Sequence, residues 1–523
     1  MKNRFTRLLA VFAVALGLAG ICGFAAAAPA KTDPTLAINS SSADNSFLIY
    51  GENIEELSKS TTAGPLGQFV SRLLGQVPSD LRQTLAPETS FIRAWFEKES
   101  VTDVALAITQ SKPLAAKDYA LKLGADPAAG NASGLADGLS YIGEMDIETN
   151  NLKLLLALAN RSDGAYSLGA ASVDKLNSMF AWNGASPEAH VQSPLKVFLN
   201  LTPEYLNSQA GSDIYKLPVR LESGLVPHTK AFLLRSWINV AELWADMVPN
   251  RAGGTPAAMV PSFGSGTAAV LSMENAWIPS DLKLEEFKIP EETKKEIQDT
   301  LDSMAEFGVT WQNIVDVLRG AISVSISKDT VQSMFGPAPA FCVSVSGLNA
   351  ELFQTLLPMA KELAQSQLGL QVKDYASGEW KGLQTGDGSP LSVWLAYGPS
   401  GLVVADVDPA TLTFSAKTNG ASVFDVLKAN TPDAAAPAAD ALIPALLGSP
   451  HTFVLAARSD ALAQLLSACG TSLQALGVSA DELEPINQAL SMVEHVSMTT
   501  DDGITDVEVT PTDAGLEMLL QTF

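Results

Sequence analysis

The sequence predicts an α+β protein. It reads as two tandem, duplicated domains, each a mostly antiparallel sheet with packed helices, behind an N-terminal signal peptide. Three observations carry that expectation. The first thirty residues have the charge and hydropathy layout of an export signal. Strand and helix patterns then follow without the strict alternation of a doubly wound fold. Finally, a series of short motifs recurs in the same order in both halves of the chain.

The signal comes first. Lys2, Arg4 and Arg7 make a positive n-region, and an apolar run follows from Leu8 to Ala28. Ala28-Pro29-Ala30 fits the small-x-small pattern read by signal peptidase. Cleavage after Ala30 is expected, because cleavage after Ala28 would leave Pro29 directly behind the scissile bond. The run is long enough to span a bilayer as an uncleaved anchor. Gly17, Gly20 and Gly23 within it favour cleavage. Ile21 ahead of Cys22 denies the small residue that lipid attachment needs. No later stretch holds 18 uninterrupted apolar residues, so no membrane span is expected in the mature chain. The expected location is the bacterial periplasm or the exterior.

Composition bounds the partners. The 523 residues carry 57 acidic against 33 basic side chains, a net charge of −24, with 47% hydrophobic residues. Processing after Ala30 removes three basic residues and takes the charge to −27. That is too apolar for a disordered acidic chain and the wrong sign for a nucleic-acid partner. Cys22 leaves with the signal, and only Cys342 and Cys469 remain. Two cysteines are no disulfide scaffold, so two buried free thiols are expected, with a single disulfide as the alternative.

Beyond the signal at 1–30, residues 31–46 are polar and read as a flexible lead-in. Pro249, Gly253, Gly254, Pro256, Pro261, Gly264 and Gly266 mark 249–266 as a linker, because Pro and Gly deny it a long helix or a central strand. The first domain is then 47–248 and the second 267–523.

The recurring motifs fall in order. The strand Phe47–Asn53 echoes Ala269–Asn275, each closed by Glu-Asn. Val104–Thr109 leads into a helix at Pro113–Leu123, as Phe341–Ser346 leads into one at Ala350–Leu363. The hairpin Leu152–Ala159 and Ala165–Ala171 matches Leu391–Tyr397 and Leu402–Ala405, with helix starts after both at Val173 and Asp408. Ser193–Leu199 and Ser449–Leu455 close the series, each ahead of a short helix. The offset grows from 222 to 256 along the chain, as insertions in the second copy require. A period near 240 means two domains, not a solenoid.

Two later elements can be read in detail. Pro290 opens a helix with Ile297, Leu301, Met304 and Phe307 along one face. Asp502-Gly503 reads as a two-residue hairpin turn, which sets Thr500 against Thr505, Met498 against Val507 and Val496 against Val509. Those pairs are expected to bury one face. His495, Ser497, Thr499, Asp506 and Glu508 are expected on the opposite, solvated face.

Candidate chemistry is sparse. His190, His228, His451 and His495 are scattered, without the spacing of a zinc site, so no metal and no cofactor are expected. Glu144, Asp146 and Glu148 share one face of a strand, where a solvated acidic face outweighs a Ca²⁺ site. Ser172-x-x-Lys175 and Ser325-x-x-Lys328 match the nucleophile motif of penicillin-recognising enzymes. Ser325 lies in a strand-like alternation, and Ser172 suits a helix N-cap. Phe263-Gly-Ser-Gly lacks the nucleophile-elbow spacing, and no phosphate-binding loop is present. Trp237 and Trp244 would share a helix face, as a core stripe or a docking site. Trp277 lies just beyond the linker and suits an interdomain surface.

No catalytic residue emerges, and the balance falls against an enzyme. The expected role is a non-enzymatic binding or scaffold protein of the cell envelope, with an apolar ligand or peptide held between the two domains. An envelope hydrolase with a dispersed active site is the second reading, and a structural component of a surface assembly the third. The envelope ligand or protein partner is not named by the sequence.

Overall fold

The computed structural model describes residues 45–110, 133–239 and 259–522, with short breaks inside those spans and a longer one at 417–442. The signal region, nearly all of the lead-in, the helix expected at Pro113–Leu123 and residues His190, Trp244, Trp277 and His451 lie outside the described residues. The chain forms two compact units, one of residues 1–243 with 517–523 and one of 244–516.

The first unit is built on strands β1 (Ser46–Glu52), β2 (Thr89–Glu97), β3 (Ser100–Gln110), β4 (Leu139–Ile147), β5 (Leu152–Arg161), β6 (Gly164–Ala170), β7 (Leu195–Leu201), β8 (Val219–Val226) and β9 (Phe232–Ile238). Their pairings are all antiparallel and run β4-β5-β6-β3-β2-β1-β7-β8-β9. Helices α1 (Ile54–Lys59) and α2 (Gly64–Gln76) follow β1, α3 (Val173–Ala181) follows β6, and α4 (Pro203–Ala210) follows β7. Leu48, Ala105, Ala157 and Leu168 of the sheet pack with Leu176 and Met179 of α3. A second cluster joins Leu57 of α1 to Leu66, Val70 and Leu74 of α2.

The second unit adds β10 (Met259–Ser262), β11 (Thr267–Glu274), β12 (Ala321–Ser333), β13 (Gly336–Val345), β14 (Val372–Ser377), β15 (Trp380–Thr385), β16 (Trp394–Gly398), β17 (Gly401–Ala405), β18 (Thr413–Ala416), β19 (Phe453–Arg458), β20 (Val493–Asp501) and β21 (Ile504–Pro511). Its main sheet is again antiparallel, in the order β14-β15-β16-β17-β13-β12-β11-β19-β20-β21. With β14 set aside, the two orders correspond strand for strand from β1 and β11 onward.

The helices of this unit are α5 (Glu291–Ala305), α6 (Trp311–Arg319), α7 (Ala350–Ser366), α8 (Ser459–Ala468), α9 (Gly470–Ala475) and α10 (Ala480–Met492); α11 (Asp513–Thr522) follows β21. Their starts are chemically marked. Thr310 with Asn313, and Ser479 with Glu482, form reciprocal capping boxes, and Asn349 accepts from the Leu352 N–H at 2.7 Å. α7 also packs on the β16 side of the sheet, where Phe353 stacks on Tyr397 at 5.4 Å.

Three local expectations change. Trp237 lies in β9 opposite Glu222, not on a helix, because β9 continues the sheet as far as Ile238. Asp408 starts only a 3-10 turn at Pro409–Thr411, since the chain re-enters a strand at Thr413. The stretch expected as linker contains β10 and a 3-10 turn at Gly264–Gly266. Pro261 is accommodated there because β10 pairs only with β18 in a two-stranded sheet.

Candidate functional site

The second unit's sheet has an unusual distribution of side chains. Three rows cross five neighbouring strands on one face. Ile326, Ala269, Ala457, Val496 and Val509 form the first row, and Val324, Leu271, Leu455, Met498 and Val507 the second. The third is Ile322, Met273, Phe453, Thr500 and Thr505. Thirteen of these fifteen residues are apolar, yet none is buried. Leu271, Met273, Leu455 and Val496 are 40%, 41%, 41% and 36% exposed.

The reverse face of the same strands is buried and largely polar. Ser272, Glu274, Ser323, Ser325, Ser497 and Glu508 are each at most 5% exposed. Alternation along a strand requires one face to differ from the other, and the fold covers the side that the residue types would leave in water. The physical reason lies in size and hydrogen bonding. Small hydroxyl residues let covering segments approach the sheet closely, and much of their polarity is satisfied internally. The Ser323 and Ser344 hydroxyls bond each other across β12 and β13. Ser325 donates to the Pro261 carbonyl at 3.1 Å. Val260, Ile443, Leu446 and Leu447 then pack against Val270, Val454 and Ala456 between the hydroxyls.

The C-terminal hairpin shows the same inversion, and it corrects the expected burial. The pairs Thr500–Thr505, Met498–Val507 and Val496–Val509 stand in register as the turn length requires. They occupy the accessible face, whereas Ser497, Thr499, Asp506 and Glu508 are buried. His495 is therefore not a solvated imidazole. Its Nε2 lies 3.2 Å from Glu508 Oε1 and 3.0 Å from Thr510 Oγ1.

Hydroxyl, imidazole and carboxylate together invite comparison with a catalytic triad, but the geometry is wrong for one. The carboxylate meets the same ring nitrogen as the hydroxyl, so it cannot orient the base from the opposite side. Glu508 and Thr510 are moreover only 5% and 4% exposed. Beside them, Arg458 is opposite His495 in the register and directs its guanidinium onto Asp460 at 2.7 and 3.2 Å and onto the Ser265 carbonyl at 3.1 Å. Burial pulls the Asp460 carboxyl up, but the hydrogen bonds and charge of Arg458 outweigh it, so its pKa falls below the usual carboxylate value.

The other sequence candidates fall into structural roles. Ser172 accepts from the Lys175 N–H at 3.3 Å, the bond of an N-cap to α3. Ser325 is fully buried in β12, in a strand shared with Lys328. Glu144 lies 3.5 Å from Lys153 on the neighbouring strand, and Glu148 is outside the described residues. His228 uses Nδ1 to accept from the Ala231 N–H at 3.0 Å. Cys342 and Cys469 are free and buried. Among the described residues, no group of three or more His, Cys, Asp or Glu could hold a metal ion, and no helix is long and apolar enough to cross a membrane.

The apolar face is thus the feature that sequence reasoning missed. The alternation in Ala269–Glu274 and in Ala321–Ser327 was visible, but not which side would be covered. No protein-family model matches the chain, and no curated protein or solved structure matches it.

Proposed function

We propose that this is an exported, non-enzymatic binding protein of the bacterial cell envelope, made of two duplicated α+β domains and processed after Ala30. The observation that carries the binding reading is the accessible apolar face of the second unit, with four large aliphatic side chains 36–41% exposed on adjoining strands. Contiguous exposed apolar surface is costly in water and on a monomer commonly marks a binding site. Duplication is supported by the matching strand orders of the two units together with the ordered sequence motifs. Export is supported by Lys2, Arg4 and Arg7 ahead of the apolar run and by Ala28-Pro29-Ala30.

Native mass spectrometry of the protein purified from its own envelope fraction, run beside the same sample denatured, tests the whole reading. The expected result is a chain beginning at Lys31, with extra mass that disappears on denaturation. A chain recovered from the cytoplasm with its first thirty residues intact would refute export. A bare mass from the envelope fraction would count against a retained ligand.

A further inference from the structure

We infer that the accessible face of β11, β12, β19, β20 and β21 seats the acyl chain of a lipid that carries no net negative charge. The inference rests on the reading of the protein as a binding protein and names its site and ligand class.

The surface itself selects a hydrocarbon chain. Thirteen of its fifteen side chains are apolar, Phe453 is the only aromatic one, and none is charged. Apart from the Thr500 and Thr505 hydroxyls at one end, no side chain on it offers a hydrogen-bonding group to fix a peptide backbone. The most exposed residues are contiguous: Leu271 faces Leu455, Met273 lies two residues along from Leu271, and Val496 faces Ala457, two residues along from Leu455. Five strands at ~4.8 Å spacing and three same-face positions per strand give an apolar field of roughly 19 by 14 Å. Each methylene taken from water adds to the free energy of binding, so an extended chain gains along the whole length of such a field.

Area argues against a second copy of the protein as the occupant. The four most exposed side chains present on the order of 300 Å² of apolar surface, within the range found for the largest patch on a monomer. A standard protein–protein interface takes about 800 Å² from each partner. At the corner near Ile326 the sheet is already packed by Ala461 and Leu465 of α8, which restricts the open field further.

Polarity and charge define the other end of the ligand. The only hydroxyls on the face, Thr500 and Thr505, lie 3.0 Å apart at the end of the third row. That is where a head group leaves the apolar field. Asp506 and Glu508 are on the reverse side of the same hairpin, and the chain as a whole carries −24. An anionic head is disfavoured by that field.

The test uses palmitoyl-lysophosphatidylcholine with a spin label on its acyl chain, below its micelle-forming concentration. Immobilisation of the label by the full-length mature protein is the expected result. Leu271→Asp and Leu455→Asp should each weaken binding at least about tenfold, and Leu271→Thr with Leu455→Thr keeps strand propensity if the charged variants fold poorly. Ile486→Asp, which alters an exposed apolar residue of α10, should bind as the unaltered protein does. Palmitate should bind more weakly than the zwitterionic probe, with the gap narrowing as salt is added.

Binding unaffected by the Leu271 and Leu455 variants would overturn the site while leaving a binding protein. A dimer in sedimentation that those variants dissociate would make a second copy the occupant. Failure to bind the probe would overturn the lipid inference, and the broader reading would fall with it only if the envelope-purified protein also carried no extra mass.

Discussion

Leu271 and Leu455 face each other across β11 and β19 with about two-fifths of each side chain in solvent, while their chain neighbours Ser272 and Val454, paired on the reverse face, are fully buried. One residue along β11 therefore separates an apolar surface in water from a hydroxyl in the interior. An aliphatic face left accessible while serines are covered is a poor arrangement for stability alone. It makes physical sense when the accessible face has a ligand to bind.

The buried serines should separate into two classes by substitution. Ser323→Ala leaves the Ser344 hydroxyl buried without its partner and should lower stability by about 1–2 kcal/mol. The double variant with Ser344→Ala removes both hydroxyls and should recover part of that loss. Ser272 and Ser497 have buried hydroxyls without a hydrogen-bond partner, so Ser272→Ala and Ser497→Ala should be neutral or stabilising. Shifts in the urea midpoint at constant slope give all these values.

Gly401 begins β17 at φ +90°, and a Cβ there would lie 2.5 Å from the Val345 carbonyl oxygen. Gly401→Ala combines a backbone conformation that L-residues rarely adopt with a clash against backbone that cannot swing away. A loss of at least about 2 kcal/mol is expected, with a lower melting temperature of the second unit. Gly369, also at positive φ but with open space around it, should lose less on the same change.

Cys342 should be chemically silent in the folded protein. Burial, with the nearby Asp406 carboxylate adding to it, pushes its thiol up to about 12. Thiolate is the reactive form, so alkylation of Cys342 at pH 8 should proceed only as fast as the protein opens. Peptide mapping of iodoacetamide-treated protein, native and in urea, measures this. Labelling of the native protein at the rate of an exposed cysteine would contradict its burial.

Asp406 accepts from the Phe341 N–H at 2.8 Å, but burial outweighs that bond and raises its carboxyl pKa. A folded-state pKa above the unfolded one contributes stability at low pH that disappears as pH rises through the folded value. Ionised Asp406 is therefore a cost at neutral pH. Asp406→Asn keeps an acceptor for Phe341 and should be at least as stable as the unaltered protein at pH 7. That advantage should vanish below about pH 4, where the unfolded carboxyl is also protonated. Thermal melts of both proteins from pH 3 to 8 test the sign.

Much of the local structure could be read from the residues. Short turns fixed the register of the C-terminal hairpin, because a two-residue connection leaves one pairing for Thr500 with Thr505. The capping residue Ser172 marked where α3 begins. Trp237 misled because an apolar spacing of seven over a short segment fits a helix, while sheet pairing with Glu222 overrode it.

By itself, the sequence determined that strands alternate, where they turn and in what order similar motifs recur, because these depend on neighbours a few residues apart. Tertiary structure alone decided which face of β11, β12, β19, β20 and β21 would be covered. On β11 and β19 that choice depends on Val260, Ile443, Leu446 and Leu447 packing against Val270, Val454 and Ala456, contacts made across long stretches of chain that leave no trace in any local pattern. A period of two says that the faces differ, and only packing says which one meets water.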